Sequence, residues 1–156
     1  EYFNNIDTQE KAYILGFIFA DGHNNYGQCN RYGLFIDLNI KDIDILHKIN
    51  KNIESTYPIR TKIRNTNFSK NYECCSLGIT NINICRSLFQ LGVTHDKRYN
   101  INFPQINKDL ERHFIRGFFD GDGSVFNPKD PNWNIVGNKN FLLKIQDIIT
   151  KNTELK

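Results

Sequence analysis

Apolar residues recur at helical spacing in five stretches of this chain, and between them they alternate along single faces. The first helical stretch runs through Ala12 and Leu15 to about Asp21. Asp7 is its predicted N-cap, Glu10 completes a capping box, and Gly22 supplies the stop. A stretch rich in Asn and Gly, His23 to Gly33, predicts a short strand and its turn. Leu34, Ile36, Leu38 and Ile40 then share one face of a strand. Asp42 is the predicted cap of a second helix carrying Leu46, Ile49 and Ile53. Tyr57 to Arg64 and Tyr72 to Thr80 read as a hairpin joined by a polar stretch. Asn81 caps a third helix with Ile84, Leu88 and Leu91 on one stripe, ending near Gly92. Val93 to Pro104 reads as a linker.

The pattern then restarts. Asn107 caps a helix with Asp109 and Glu111 in its first turn, where the macrodipole favours acids, and this helix ends at Asp122-Gly123. Ser124 to Phe126 and Trp133 to Val136 predict a hairpin around a turn holding Pro128 and Pro131. A last helix spans about Asn140 to Thr150 with Leu142, Ile145 and Ile149 on one side. The order helix, two strands, helix, two strands, helix is thus followed by helix, two strands, helix. This predicts an α+β fold: one complete repeat over residues 1–97, then a linker and a partial second repeat over 98–156.

Two segments of the two halves are near-copies. Ile14-Leu15-Gly16-Phe17-Ile18-Phe19-Ala20-Asp21-Gly22 matches Ile115-Arg116-Gly117-Phe118-Phe119-Asp120-Gly121-Asp122-Gly123. Each places an acid at a helix C-terminus, against the negative end of the dipole, at a cost of roughly 0.3–1 kcal/mol. Gly16 and Ala20 lie four apart, as do Gly117 and Gly121, so each pair occupies one helix face and lets a second backbone come close. Either segment alone reads better as a packing device with an ordinary polar end. Together, helices packed through those faces would set Asp21 beside Asp122. Two carboxylates so placed repel unless protonated or bridged by cations. Mg²⁺ suits that need, because it takes hard oxygen ligands from one or two carboxylates plus phosphate and water. Asp120 has Phe19 as its counterpart and is read as structural.

Charge and composition narrow the partners. The chain has 156 residues and a formal net charge of +3, mildly basic and compatible with nucleic acid. Its four cysteines, Cys29, Cys74, Cys75 and Cys85, show no metal or redox spacing and suit a reduced intracellular protein. No apolar run approaches the ~18 residues that cross a bilayer, so no membrane partner is expected. Arg60, Lys62 and Arg64 share one face of a strand, opposite Ile59, Thr61 and Ile63. Beside the twin acids, that face reads as a saddle for DNA phosphates, with Asp37, Asn39 and Asn67 as base-reading candidates. Lys97, in the linker, reads either as a solvated lysine or as a cation that polarises water or the leaving group near the metal. His23, His47, His95 and His113 show no ligand spacing and are read as ordinary surface or boundary residues.

The two segments resemble the motifs of the LAGLIDADG homing endonucleases. Leu91-Gly92-Val93, Lys97, Phe103-Pro104 and Phe114-Ile115-Arg116-Gly117 are similar to the intein-associated and freestanding two-repeat members. The resemblance implies an αββαββ repeat used twice, motif helices at a pseudo-twofold interface, and curved antiparallel sheets along DNA. It implies a site-specific, Mg²⁺-dependent double-strand DNA endonuclease, or a fragment of one. Asp21 and Asp122 would be catalytic metal ligands, Ala20 and Gly121 would complete the metal set, and Lys97 would assist, with Lys62 behind it. Arg116 and Gly121 depart from the usual aliphatic residue and alanine, and the second repeat lacks its second hairpin and last helix. The alternatives are an inactive DNA-binding protein of the same fold and an intron maturase. The expected partner is double-stranded DNA, bound by a monomer with pseudo-twofold symmetry or by a chain that a missing segment completes. The expected location is intracellular, the cytoplasm in a bacterial or phage context or else an organelle.

Overall fold

The structure is a computed structural model that describes residues 2–28, 31–65, 71–97, 101–126, 129 and 132–153. Helix α1 spans Gln9–Asp21, strand β1 Gly22–Asn24 and strand β2 Leu34–Asn39. Helix α2 spans Ile43–Asn52, β3 Ile59–Arg64, β4 Tyr72–Ile79 and helix α3 Ile82–Gln90. The second half holds α4 (Lys108–Asp122), β5 (Gly123–Phe126), β6 (Asn132–Ile135) and α5 (Lys139–Asn152). Cys29, Asn67 and both turn prolines, Pro128 and Pro131, lie outside the described residues.

The caps differ in part from the sequence reading. Thr8, not Asp7, caps α1, accepting the Lys11 amide at 3.2 Å. Asp7 instead pairs with Lys11 Nζ at 2.8 Å, because an acid one residue further out reaches the side chain of the first turn more easily than its amides. Asp42 stands at the N-terminus of α2 without a side-chain cap bond. The preceding 3₁₀ turn, Ile40–Asp42, takes over the entry, and Asn39 caps that turn by accepting the Lys41 amide at 3.0 Å. Asn81 and Asn107 cap α3 and α4.

Strands β1 to β4 form one antiparallel sheet in the order β1-β2-β4-β3. Its inner face carries Leu34, Ile36, Leu77 and Ile79, all buried against the helices. Strand β3 is at the edge. Ile59 packs against the core, but Ile63 is 67% exposed, so the apolar face predicted for β3 is covered at one end only. Strands β5 and β6 form a separate antiparallel pair. Beside β2 lies β4, whereas no further described strand flanks β6. Trp133, Ile135, Leu142 and Leu143 therefore line an apolar groove of about 560 Å³ between β6 and α5.

The core is centred on the crossing of α1 and α4. In α1, Ala12 to Phe19 are all buried, because the helix packs against the sheet on one side and α4 on the other. Aromatic rings fill the second half of the core. Phe19 meets Phe114 edge-on at 5.1 Å, and Phe118 meets Phe141 at 4.8 Å.

Candidate metal centre and nucleic-acid interface

The two motif helices touch backbone to backbone, and the contact is reciprocal. A methyl group at Gly16 would overlap the Phe114 carbonyl and lie 2.9 Å from the Phe118 amide. A methyl at Gly117 would overlap the Tyr13 carbonyl and lie 3.0 Å from the Phe17 amide. Each glycine thus faces the residues that correspond, in the other motif, to its own surroundings. That is the signature of a pseudo-twofold axis running between the helices.

The same axis brings the helix ends together. A Cβ at Gly121 would overlap the Ala20 methyl and stand 2.9 Å from Asp21 Oδ2. Only glycine fits opposite Ala20, which accounts for the departure from alanine at 121. Asp21 and Asp122 are the last residues of α1 and α4, and they feel each other's charge. Burial raises the Asp21 carboxyl above its ordinary pKa, the Asp122 charge raises it further, and Lys97 opposes both. Asp122, nearer the solvent edge, is raised by burial and again opposed by Lys97. Both acids therefore sit where negative charge is undercompensated.

Lys97 is held on the C-terminus of α1. Its Nζ donates to the carbonyls of Ile18, Phe19 and Ala20 at 3.1, 3.0 and 3.0 Å. A cation at a helix C-terminus satisfies the otherwise free carbonyls and the dipole together. Burial lowers its pKa to about 8, with Asp122 and Asp21 holding it up. Asn24, fully buried, explains how the linker gets there. Its Nδ2 donates to Cys85 O and to Val93 O, both at 2.9 Å, tying β1 to α3 and to the start of the linker. The sequence reading missed Asn24, since a strand asparagine gives no sign of whom it bonds. Asp120 accepts from Tyr13 Oη at 2.8 Å across the two motif helices.

A groove of about 620 Å³ leads from Asp21 over the outer face of the sheet to Arg60, Lys62 and Arg64. Asp37 lies in it and pairs with Arg64 at 3.8 Å, both side chains about half exposed. Asn39 is spent at least in part on its cap, and the groove lining does not include it. Further residues that line the groove include His23, Phe35 and Ser76. The His23 ring touches His95 at 4.9 Å beside the acids. Phe35 was legible in principle, since the alternation that buries Leu34 and Ile36 sends it outward beside Asp37.

The donor chemistry suits a hard divalent cation. Asp21 and Asp122 offer two carboxylates, and the Ala20 and Gly121 backbone adds hard carbonyl oxygens, although Ala20 O also takes a bond from Lys97. No cluster of three or more His, Cys, Asp or Glu that could hold a metal occurs among the described residues. The remaining positions on such an ion would fall to water and phosphate, as Mg²⁺ commonly allows. Among the described residues, no helix is long and apolar enough to cross a membrane.

No protein-family model matches this chain. A stretch of 127 residues, 78% of the chain, is 31% identical to a DNA polymerase of Acanthamoeba polyphaga mimivirus, and spans 7% of that protein. Among solved structures, the chain is similar to the homing endonuclease I-WcaI bound to its DNA recognition sequence. The TM-score is 0.54 at 11% identity, over 80% of this chain and 55% of that one. It is also similar to the LAGLIDADG homing endonuclease I-LtrWI bound to target DNA. There the TM-score is 0.55 at 13% identity, over 96% of this chain and 71% of that one. The chain has the LAGLIDADG homing-endonuclease fold. It spans about half the length of I-WcaI and a small fraction of the viral polymerase.

Proposed function

We propose that this chain is a site-specific double-stranded DNA endonuclease, or the portion of one that carries the cleavage centre. One observation carries the reading: two helices with reciprocal backbone contact end in Asp21 and Asp122, and a groove with a cationic wall leads away from Asp21. The similar structures I-WcaI and I-LtrWI were both solved bound to DNA, which supports DNA as the partner.

In this reading Asp21 and Asp122 would hold Mg²⁺, helped by the backbone at Ala20 and Gly121. The ion supplies Lewis-acid activation of water and of the scissile phosphate. Lys97 keeps its ammonium against the last turn of α1, where it offsets the paired acids and orders nearby water. Arg60, Lys62 and Arg64 bind backbone phosphates, and Asp37, with the free amide of Asn39, is left to read base edges. The protein acts as a monomer with pseudo-twofold symmetry, or is completed by a further segment over the groove beside β6. The match within a viral polymerase supports an origin inside a longer gene, as in an intein, and an intracellular site of action.

The test is incubation of the chain with a randomised duplex library and Mg²⁺, followed by sequencing of the cut ends. Recurrent cleavage at one sequence, abolished by chelation, is the expected result. Binding without cleavage would leave a DNA-binding protein of the same fold. Replacing Arg60 or Lys62 with Gln should weaken binding evenly across sequences. It should also lower the slope of log affinity against log salt by about 1 per residue. An unchanged slope, read by titration at several salt concentrations, would remove the saddle.

A further inference from the structure

Among the residues that line the groove, Phe35 is one that phosphate binding does not explain. Phe35 is 41% exposed on the outer face of the sheet, in the company of Asp37, Arg60 and Ser76. It sits in register between His23 of β1 and Gly78 of β4, one row from the Gly22 that follows Asp21. Both glycines near it serve the ring. A Cβ at Gly33 would stand 2.6 Å from Phe35 Cε2, and one at Gly78 would stand 3.1 Å from Cδ1. The sequence thus clears two side chains so that an aromatic ring lies along a polar, cationic surface. Covering a strand glycine with an aromatic ring stabilises a sheet, but that service does not require placing the ring inside the groove.

We infer that Phe35 reads a thymine 5-methyl group in the DNA target, next to the cleavage centre. The inference rests on the endonuclease reading above and adds a substrate feature to it. In the major groove each base pair shows its own pattern of donors, acceptors and apolar surface. An apolar ring has no hydrogen bond to offer. The thymine methyl is the apolar group that the groove presents to it. Phosphate and the polar base edges go to the charged neighbours, so the division of labour across the face is set by chemistry. Position in the sheet then places the contact on the Asp21 side of the target, close to the cleaved phosphate.

The probe is the duplex that the full chain, with Phe35 intact and Asp122→Asn to hold off cleavage, selects from a randomised library. Each thymine is replaced in turn by deoxyuridine, which removes only the methyl group. One position is expected to cost about fourfold in affinity, the worth of one buried carbon. The penalty should vanish in the Phe35→Ala background. At that position 5-iododeoxyuridine, with iodine in place of the methyl, should cross-link to Phe35 on irradiation. The cross-link needs no change at Phe35 and stands if Phe35→Ala fails to fold. A duplex that is bound tightly but indifferent to every deoxyuridine overturns the inference and leaves the nuclease reading intact. So does a cross-link from the sensitive position to another residue. Selection of no duplex at all overturns both.

Discussion

Asp21→Asn is expected to reduce DNA cleavage by about a thousandfold or more, and Asp122→Asn by a similar factor, with target binding largely retained. The size follows from the role. A metal that activates water and phosphate is worth several kcal/mol of transition-state stabilisation, and each 1.36 kcal/mol is tenfold in rate. Asn keeps the shape of the side chain but removes the charge that holds the cation. The same substitutions should stabilise the fold. Both carboxyls have pKa values raised by burial, Asp21 further by its neighbour, so the folded state binds protons more readily than the unfolded chain. Wherever it is ionised, each acid therefore works against folding. That penalty disappears as pH falls through the folded-state pKa. Removing one charge should raise Tm, and by less at Asp122, whose exposure screens the charge, than at Asp21. A site that costs stability is what a functional pair of acids would show, as against two decorative helix ends. Thermal melts beside single-turnover cleavage of the selected target check both signs. Normal cleavage by either variant would remove the assignment.

Gly117→Ala, and equally Gly16→Ala, is expected to destabilise the protein by about 3 kcal/mol or more, lowering Tm by roughly 10 °C. Two effects oppose each other. Alanine in a helix interior gains about 1 kcal/mol over glycine from backbone entropy. Against that, the new methyl would occupy the space of a carbonyl on the facing helix, Tyr13 or Phe114. Backbone cannot swing aside as a side chain can, so the helices must separate along their whole contact. The aromatic cluster of Phe19, Phe114 and Phe141 would then lose its packing. The acids at the helix ends would move apart as well, so surviving folded protein should cut poorly. Circular dichroism melts are the check, and a neutral or stabilising effect would mean that the helices do not meet through these glycines.

Much of this was legible in the chain. The twin segments announce themselves by repetition, and their small residues at fourfold spacing predict close helices without any knowledge of the partner surface. The alternation through Leu34 to Ile40 likewise fixes which face of β2 is inward. What was not legible depends on neighbours remote in sequence. The cap at Thr8 rather than Asp7 turns on one residue of helix register and on Lys11 being free to take the acid. The exposure of Ile63 follows from β3 lying at the sheet edge, which periodicity along the strand itself cannot report. Asn24 and Lys97 act through carbonyls that only the folded chain assembles. Reading Lys97 as a cation near the acids was open to a sequence argument, but its seat on three carbonyls of α1 was not.

The central claim is that Asp21 and Asp122 act as a single cation-holding pair. Its most direct test is a Mn²⁺ titration of the full chain, with the bound fraction read by electron paramagnetic resonance, for the native protein, Asp21→Asn, Asp122→Asn and the double variant. If the carboxylates share an ion, either single change should weaken binding about as much as both together, because a pair that works as a unit is lost with its first member. Losses that simply add, or a variant that keeps native affinity, would contradict the account.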